Sequence, residues 1–198
     1  TTLANPQKLL ALAYFFRNHY KNNTLQLLQH YYDLDAYYSM ATAVKRFNFA
    51  FPTWINSERP LLEVVSGIHP LVPNPIDNTI SLSSQNNLFF LTGDNIAGKS
   101  TFIKTIGIII YLSHIGIGSP AKKVTLSLFD GLITNLTIAD NVVKGESYFF
   151  NEVQRIKNTI EKIIDGKKYF VLIDELFKGT NIQDAMKCST VVIEGLQN

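Results

Sequence analysis

Leu88-Phe-Phe-Leu-Thr-Gly-Asp-Asn-Ile-Ala-Gly-Lys-Ser-Thr101 is the stretch of this 198-residue sequence that predicts most about its fold. Four apolar residues at 88–91, typical of a buried strand, precede the pattern G-x-x-x-x-G-K-S. That order is typical of a phosphate-binding loop between a strand and a helix. Gly93 and Gly98 allow the tight turn that points backbone N–H groups at phosphate oxygens, and a helix predicted to begin near Lys99 adds its positive end. The alternative is a glycine-rich turn that matches by chance.

The side chains of this loop predict a nucleotide as the ligand. We expect Lys99 to reach the β- and γ-phosphates and the Ser100 hydroxyl to bind Mg²⁺. The predicted phosphate-binding residues of the loop itself are Gly93, Ala97, Gly98, Lys99, Ser100 and Thr101.

A second apolar run, Tyr169-Phe-Val-Leu-Ile173, ends in the two carboxylates Asp174 and Glu175. Parallel strands buried on both faces have this composition, and ligands bind beyond their carboxyl ends. We expect Asp174 to hold Mg²⁺ through its water shell and Glu175 to be catalytic, positioning the water that attacks the γ-phosphate. A helix cap or a solvated strand end would explain one carboxylate, but not the pair together with a phosphate-binding loop.

Composition indicates a globular chain of one or two domains. Of the 198 residues, 46% are hydrophobic and 17% are charged, which is enough for one sizeable core and an appendage. A formal net charge of +2 is too small to predict a nucleic-acid surface, because such surfaces are strongly basic. Charge therefore gives no indication of DNA binding.

The sequence predicts neither a disulfide nor a membrane segment. Cys188 is the single cysteine, which fits a reducing compartment. The uncharged stretch 105–121 is shorter than the roughly 20 apolar residues that a membrane helix needs. Residues 1–6 show no basic region followed by an apolar core, so no secretory signal is visible. We expect a cytoplasmic protein without a membrane partner.

Two helices are predicted before the loop. Asn5 followed by Pro6 is a good helix start, and this helix should run to about Tyr20. After a polar break at 21–24 a longer helix is predicted, ending before Pro52. Its apolar residues recur in steps of four and three, so they are expected to pack in a core. They are Leu27, Tyr31, Leu34, Tyr38 and Ala41.

Strands and helices alternate through the rest of the chain. Strands are predicted at 61–65, 79–82 and 123–128. An apolar helix should follow the loop, an amphipathic helix should follow Ser147, and a last helix should begin at Asn181. This alternation favours an α/β fold with a mostly parallel sheet covered by helices.

Three motifs in order suggest a known family. They are T-G-D-N-I-A-G-K-S-T at 92–101, G-E-S-Y-F-F-N-E at 145–152 and D-E-L-F-K-G-T-N-I-Q-D at 174–184. They resemble T-G-P-N-M-G-G-K-S-T, G-x-S-T-F-x-x-E and D-E-x-x-R-G-T-S-x-x-D of the ATPase domain of the MutS DNA mismatch-repair proteins, a branch of the ABC-type ATPases. The likeness covers roughly residues 35–198. It includes Asn95, which generic phosphate-binding loops do not require and which the resemblance adds to the phosphate-binding residues.

The resemblance implies a P-loop NTPase fold of the ABC-ATPase type, with a mostly parallel sheet flanked by helices. We expect a helical segment at 1–50 and an ATPase domain at 51–198. That domain is expected to be incomplete at its C-terminal end, because family members carry a histidine on a further strand after the last helix. ATP and Mg²⁺ are the implied ligands, and the implied location is a bacterial-type cytoplasm, near the nucleoid.

The resemblance also implies a homodimer in which each nucleotide lies between two MutS-like protomers. Ser147 would act in trans on the γ-phosphate held by the other protomer, and a helix N-terminus with a serine hydroxyl suits an anion. A simple N-cap is the alternative role for Ser147. Thr180, Asn181 and Asp184 would lie in the loop at the dimer seam. DNA would be bound mostly by regions outside this chain.

Departures from the family pattern bear on binding. Asp94, Ile96 and Ala97 replace proline, methionine and glycine, but both phosphate-cradling glycines remain, so nucleotide binding is expected to survive. Lys178 replaces an arginine and keeps the charge without the bidentate fork. Pro75 stands where the family usually has an aromatic ring that stacks on adenine, so base selectivity is left open.

Three functions remain open from the residues. The first is an ATPase whose nucleotide state changes a dimer interface and, through it, the handling of DNA mismatches. The second is a non-catalytic module that uses ATP only to dimerise. Glu175 argues against it, whereas the family histidine that this chain lacks predicts low activity for this piece. The third is a small-molecule phosphotransferase with the same loop, which would not need Ser147 together with the two acids.

Overall fold

The computed structural model describes residues 5–94, 97–136 and 148–197. The helices among them are α1 (Pro6–Asn18), α2 (Lys21–Phe47), α3 (Lys99–His114), α4 (Tyr148–Ile163) and α5 (Ile182–Gln197). The strands are β1 (Thr53–Ile55), β2 (Leu62–Gly67), β3 (Asn78–Leu82), β4 (Lys123–Ser127), β5 (Gly131–Asn135) and β6 (Tyr169–Ile173). The chain divides into two units, Thr1–Arg46 and Phe47–Asn198.

The two helices of the first unit start for identifiable reasons. At α1, the Asn5 side chain accepts the Gln7 N–H at 3.0 Å and Pro6 occupies the first turn, as predicted. α2 begins at Lys21, four residues before the predicted start, because the Tyr20 carbonyl accepts both the Thr24 N–H and the Thr24 hydroxyl. The predicted polar break is therefore the first turn of α2.

The expectation that the α2 stripe packs in a core is wrong for this unit. Leu27 is 70% exposed and Tyr38 is 73% exposed, and no described residue of α1 or α2 is buried. Helical spacing of apolar residues identifies a face, but it does not identify what covers that face.

The described strands of the second unit form two small sheets. The larger has the order β1-β4-β2-β3. β2 runs antiparallel to both β3 and β4, whereas β1 and β4 are parallel. β5 and β6 form a separate parallel pair, with Gly131 opposite Tyr169 and Asn135 opposite Ile173.

This topology contradicts the predicted fold class. The expectation of a P-loop NTPase fold of the ABC-ATPase type, with a mostly parallel sheet flanked by helices, is wrong: the four-stranded sheet is mixed and the parallel pair stands apart from it. Alternating elements in the sequence indicated parallel pairing. Here β2 and β3 are joined by a turn and pair antiparallel, and β4 adds antiparallel to β2.

The predicted buried strand at 88–91 is also absent. These residues form no strand, and the side chains of Phe89 and Phe90 are 51% and 69% exposed. The Phe89 ring instead stacks on Phe102 of α3, with 5.7 Å between ring centroids. A short apolar run does not by itself specify a strand partner. The other predicted strands correspond to β2, β3, β4 and β6, whereas β1 and β5 were not predicted.

The core of the second unit lies between α3 and the larger sheet. Its most buried side chains are Ile106, Ile109 and Ile110 of α3 and Leu62, Val64, Val124 and Leu126 of the sheet. Two glycines permit close approach. A Cβ added at Gly67 would lie 2.7 Å from the Ile109 Cδ1, and one added at Gly107 would lie 2.8 Å from the Leu172 Cδ1 of β6. α3 thus contacts both sheets, which positions its N-terminus.

Ile109→Ala is expected to lower the free energy of unfolding by about 2–5 kcal/mol, because the side chain is fully buried and its removal leaves a cavity. Urea denaturation measures the change. Ile115→Ala, which removes a half-exposed side chain just after the same helix, is the matched control and should cost well under half as much. Equal losses in the two variants would contradict this description of the core.

Candidate functional site

The loop between residues 93 and 98 joins α3 through two glycines in unusual backbone conformations. Gly93 has φ 145° and Gly98, the N-cap of α3, has φ 82°. Side chains rarely tolerate these values, so glycine is required by the backbone at both positions. The Gly98 carbonyl accepts the Phe102 N–H at 2.9 Å, which starts the helix. The Ala97 N–H donates to the Asp94 carbonyl at 3.0 Å and closes the turn.

Lys99 is the first residue of α3, and its ammonium lies against the loop backbone. The Nζ donates to the carbonyl oxygens of Gly93 and Asp94, each at 2.6 Å. These bonds use two of the three N–H donors of the ammonium. The Lys99 ammonium therefore lies beside the loop that the sequence predicts to bind phosphate through its backbone N–H groups.

Ser100 and Thr101 follow in the first turn of α3, where both are exposed. The first N–H groups of any helix have no carbonyl partner within it. The Thr101 carbonyl accepts the Thr105 hydroxyl at 2.7 Å, so it is engaged within the helix. The exposed hydroxyls and N–H groups of this turn give α3 an N-terminus that can bind an anion.

The two predicted acids follow β6 directly. The Asp174 N–H donates to the Asn135 carbonyl at 3.0 Å, which extends the β5–β6 pairing by one bond and fixes the half-buried Asp174. Glu175 is exposed and has φ 55°, in the left-handed region. Its carboxylate pairs with the Lys178 ammonium at 2.9 Å.

Lys99, Asp174 and Glu175 all line one cleft of about 600 Å³, whereas the other described residues of the predicted phosphate-binding set do not line it. Those residues are Gly93, Ala97, Gly98, Ser100 and Thr101. The walls of the cleft are mainly apolar and come from residues 88–91, α3 and β6. The sequence predicted the charged residues but not the apolar cleft, which residues 88–91 line without forming a strand.

Lys167 and Tyr169, which also line the cleft, form a small polar cluster with Asp165. The Lys167 backbone N–H donates to Asp165 at 2.9 Å and lowers the pKa of that carboxyl. The Asp165 carboxylate in turn raises the pKa of the Lys167 ammonium and of the Tyr169 hydroxyl through side-chain hydrogen bonds. The Lys167 ammonium lies 3.2 Å from the Asp165 carboxylate, so the two opposite charges form an ion pair and the cluster adds no net charge to the cleft.

Glu152 of α4 is a residue of this region to which the sequence assigned no role. It is 5% exposed, and its two oxygens accept the N–H groups of Lys178 and Gly179 at 3.0 and 2.9 Å. The residue stands at the end of the 145–152 motif, but the spacing alone gives no hint of this contact with a loop 26 residues away.

The predicted seam residues lie at the start of α5. The Asp184 N–H donates to the Asn181 Oδ1 at 2.9 Å, and the Asn181 Nδ2 donates to the Asp184 Oδ2 at 2.6 Å. This is a reciprocal helix cap, so both residues have a structural role in the single chain. Thr180 immediately precedes them and is half-buried.

Two predicted site residues, Asn95 and Ser147, lie outside the described residues. Over the described ranges, there is no group of three or more His, Cys, Asp or Glu side chains that could hold a metal ion. Ser100 and Asp174 offer the oxygen ligands that Mg²⁺ prefers, together with water and phosphate oxygens. In the part of the chain that the structure describes, no helix is long and apolar enough to cross a membrane.

The family model of MutS domain V matches residues 89–198, which span the loop, the two acids and α5. This chain belongs to the MutS domain V family, and the resemblance seen in the three motifs is confirmed.

Relatives from bacteria and from mouse support the assignment. The chain is 31% identical over 168 residues to the DNA mismatch repair protein MutS of Petrotoga mobilis, covering 83% of this chain and 20% of the relative. It is 31% identical over 175 residues to MutS of Bacillus subtilis, covering 85% and 20%. It is 27% identical over 186 residues to the DNA mismatch repair protein Msh3 of Mus musculus, covering 90% and 17%. The chain thus spans about a fifth of the length of these relatives.

Proposed function

We propose that this chain binds and hydrolyses Mg-ATP as part of a DNA mismatch-repair protein. The observation that carries the proposal is the cleft shared by Lys99, Asp174 and Glu175, in a chain whose relatives are named DNA mismatch repair proteins. A cation beside a glycine turn and two acids that line the same cleft are groups that phosphoryl transfer needs.

Phosphate binding rests on the N-terminal end of α3. A phosphate in the loop would accept hydrogen bonds from the first-turn N–H groups and from the Lys99 ammonium, which lies 2.6 Å from two loop carbonyls. Gly93, Ala97, Gly98 and Thr101 supply backbone around it, and Asn95 belongs to the same proposed set.

Metal binding is assigned to Ser100 and Asp174, and activation of the attacking water is assigned to Glu175. Ser100 and Asp174 would hold Mg²⁺, which neutralises developing charge on the phosphates when it is bound. Glu175 would orient the attacking water and accept its proton. Its pairing with Lys178 lies at the surface, where such pairs contribute only about 0–1 kcal/mol. The pairing therefore does not prevent Glu175 from turning toward substrate.

The chain is expected to release inorganic phosphate from Mg-ATP without any added acceptor, and EDTA should abolish the release. Phosphate release measured with a coupled colorimetric assay tests both points. ATP that binds without turnover would favour the non-catalytic dimerisation module. Turnover only with an added acceptor would favour a phosphotransferase.

The homodimer proposal concerns Ser147, Thr180, Asn181 and Asp184. Only ATP presents a γ-phosphate to Ser147 of the opposite protomer, so ATP should promote dimerisation more than ADP does. Sedimentation of the chain carrying Glu175→Gln, with ATP and with ADP, measures the monomer fraction. Ser147→Arg should remove the difference. A monomer fraction that is the same in all three samples would contradict the role in trans. DNA contacts are assigned mostly to regions outside this chain.

A further inference from the structure

A buried carboxylate on α4 holds the backbone of the loop that follows the two acids. Glu152 is 5% exposed, and each of its oxygens accepts one N–H, from Lys178 at 3.0 Å and from Gly179 at 2.9 Å. A carboxylate accepts at both oxygens, whereas an amide of the same shape accepts at one and donates at the other. The arrangement therefore depends on the carboxylate itself.

The loop held in this way contains two residues in strained backbone conformations. Glu175 has φ 55° and Phe177 has φ 56°, values that side chains adopt only when their surroundings impose them. Phe177 is buried, and its ring lies 5.9 Å from Phe149 of α4. α4 thus contacts the loop at two points, through the ring of Phe149 and the carboxylate of Glu152.

We propose that Glu152 is a positioning residue for Glu175. By fixing residues 178 and 179, it maintains the turn in which the Lys178 ammonium lies 2.9 Å from the Glu175 carboxylate. Glu175 lines the cleft three residues before this anchored turn, so the holding of residues 178 and 179 limits the backbone positions from which its exposed carboxylate can turn toward substrate. The catalytic consequence rests on the proposed function, whereas the holding of the loop does not.

Glu152→Gln in the 198-residue chain tests the proposal with two readouts. Amide hydrogen exchange followed by NMR should accelerate at least roughly tenfold at Lys178 and Gly179, because one of the two N–H groups loses its acceptor. The kcat for ATP hydrolysis should fall at least roughly tenfold while the dissociation constant for Mg-ATP changes less than about twofold.

Two control variants lie on the same helix. Glu161→Gln makes the same substitution at an exposed position whose carboxylate pairs with Lys157, and it should change neither readout. Thr159→Val removes a buried hydroxyl that accepts a hydrogen bond from the Asn135 side chain at 2.9 Å. It should lower the stability of the fold without a specific increase in the amide exchange rates of residues 178 and 179. If the Gln variant does not fold, Glu152→Asp is used for the same two measurements, because it keeps both carboxylate oxygens on a shorter side chain.

The outcomes separate the two claims. Faster exchange at 178 and 179 in Glu152→Gln, together with a parent chain that does not hydrolyse ATP, would uphold the holding of the loop and overturn the proposed function. Hydrolysis at the parental kcat in Glu152→Gln would overturn the positioning role. Unchanged exchange at both amides would overturn the hydrogen-bonded arrangement itself.

Discussion

Glu175→Gln is expected to leave Mg-ATP bound while slowing hydrolysis by roughly 10²–10⁴-fold, the range that a positioned general base contributes. The amide has the shape of the carboxylate, but it cannot accept a proton from the attacking water. Phosphate release under saturating Mg-ATP, with the dissociation constant measured in parallel by calorimetry, separates catalysis from binding.

Loss of the surface ion pair between Glu175 and Lys178 would be too small to cause such a fall in rate. Both side chains are more than half exposed, so breaking the pair should cost at most about 1 kcal/mol of stability. Glu63→Gln breaks the comparable surface pair of Glu63 with Lys123 on the larger sheet and is the control. Parental hydrolysis in Glu175→Gln would show that Glu175 does not activate the water.

Lys99→Ala is expected to weaken Mg-ATP binding by roughly tenfold to a hundredfold, because one charge-assisted contact to a phosphate contributes about 1.5–3 kcal/mol. The Lys99 stem also lines the apolar cleft. Lys99→Met keeps most of that stem and removes only the charge, so the two variants should lose similar affinity. Calorimetric titration measures both.

Lys104→Ala is the matched control, since Lys104 is an exposed lysine further along the same helix. It should bind Mg-ATP as the parent does. An equal affinity in parent, Lys99→Ala and Lys99→Met would remove Lys99 from the site. If Lys99→Ala lowers the affinity for Mg-ATP and Lys99→Met does not, the role of Lys99 is packing in the cleft rather than binding of phosphate.

The sequence predicted local features of the fold well. The Asn5 cap, the start of α3 at Lys99 and the strand before Asp174 each depend on a few neighbouring residues, and the structure contains all three. The sheet was predicted wrongly, because strand partners are set by contacts between distant residues. Residues 88–91 illustrate this limit, since their apolar run indicated a buried strand and the structure leaves two phenylalanines exposed.

In the candidate site too, local motifs were identified from the sequence and contacts between distant residues were not predicted. Motif spacing identified Lys99, Asp174 and Glu175, and these residues do line one cleft. Glu152 could not be assigned a role, because its partners are backbone N–H groups that any residue type supplies. The last helix was predicted to begin at Asn181, and Asn181 and Asp184 were assigned to a dimer seam, but the hydrogen bonds between them were not predicted, although an asparagine ahead of a helix is a common cap.

The most direct test of nucleotide binding at the loop is an amide NMR spectrum of the uniformly ¹⁵N-labelled chain titrated with Mg-ATP. We expect the largest shifts at Gly93, Gly98, Lys99 and Ser100, with a saturable dependence on ATP and little change at core amides such as Leu126. A titration to millimolar Mg-ATP with no shift at these four amides would contradict nucleotide binding at this loop.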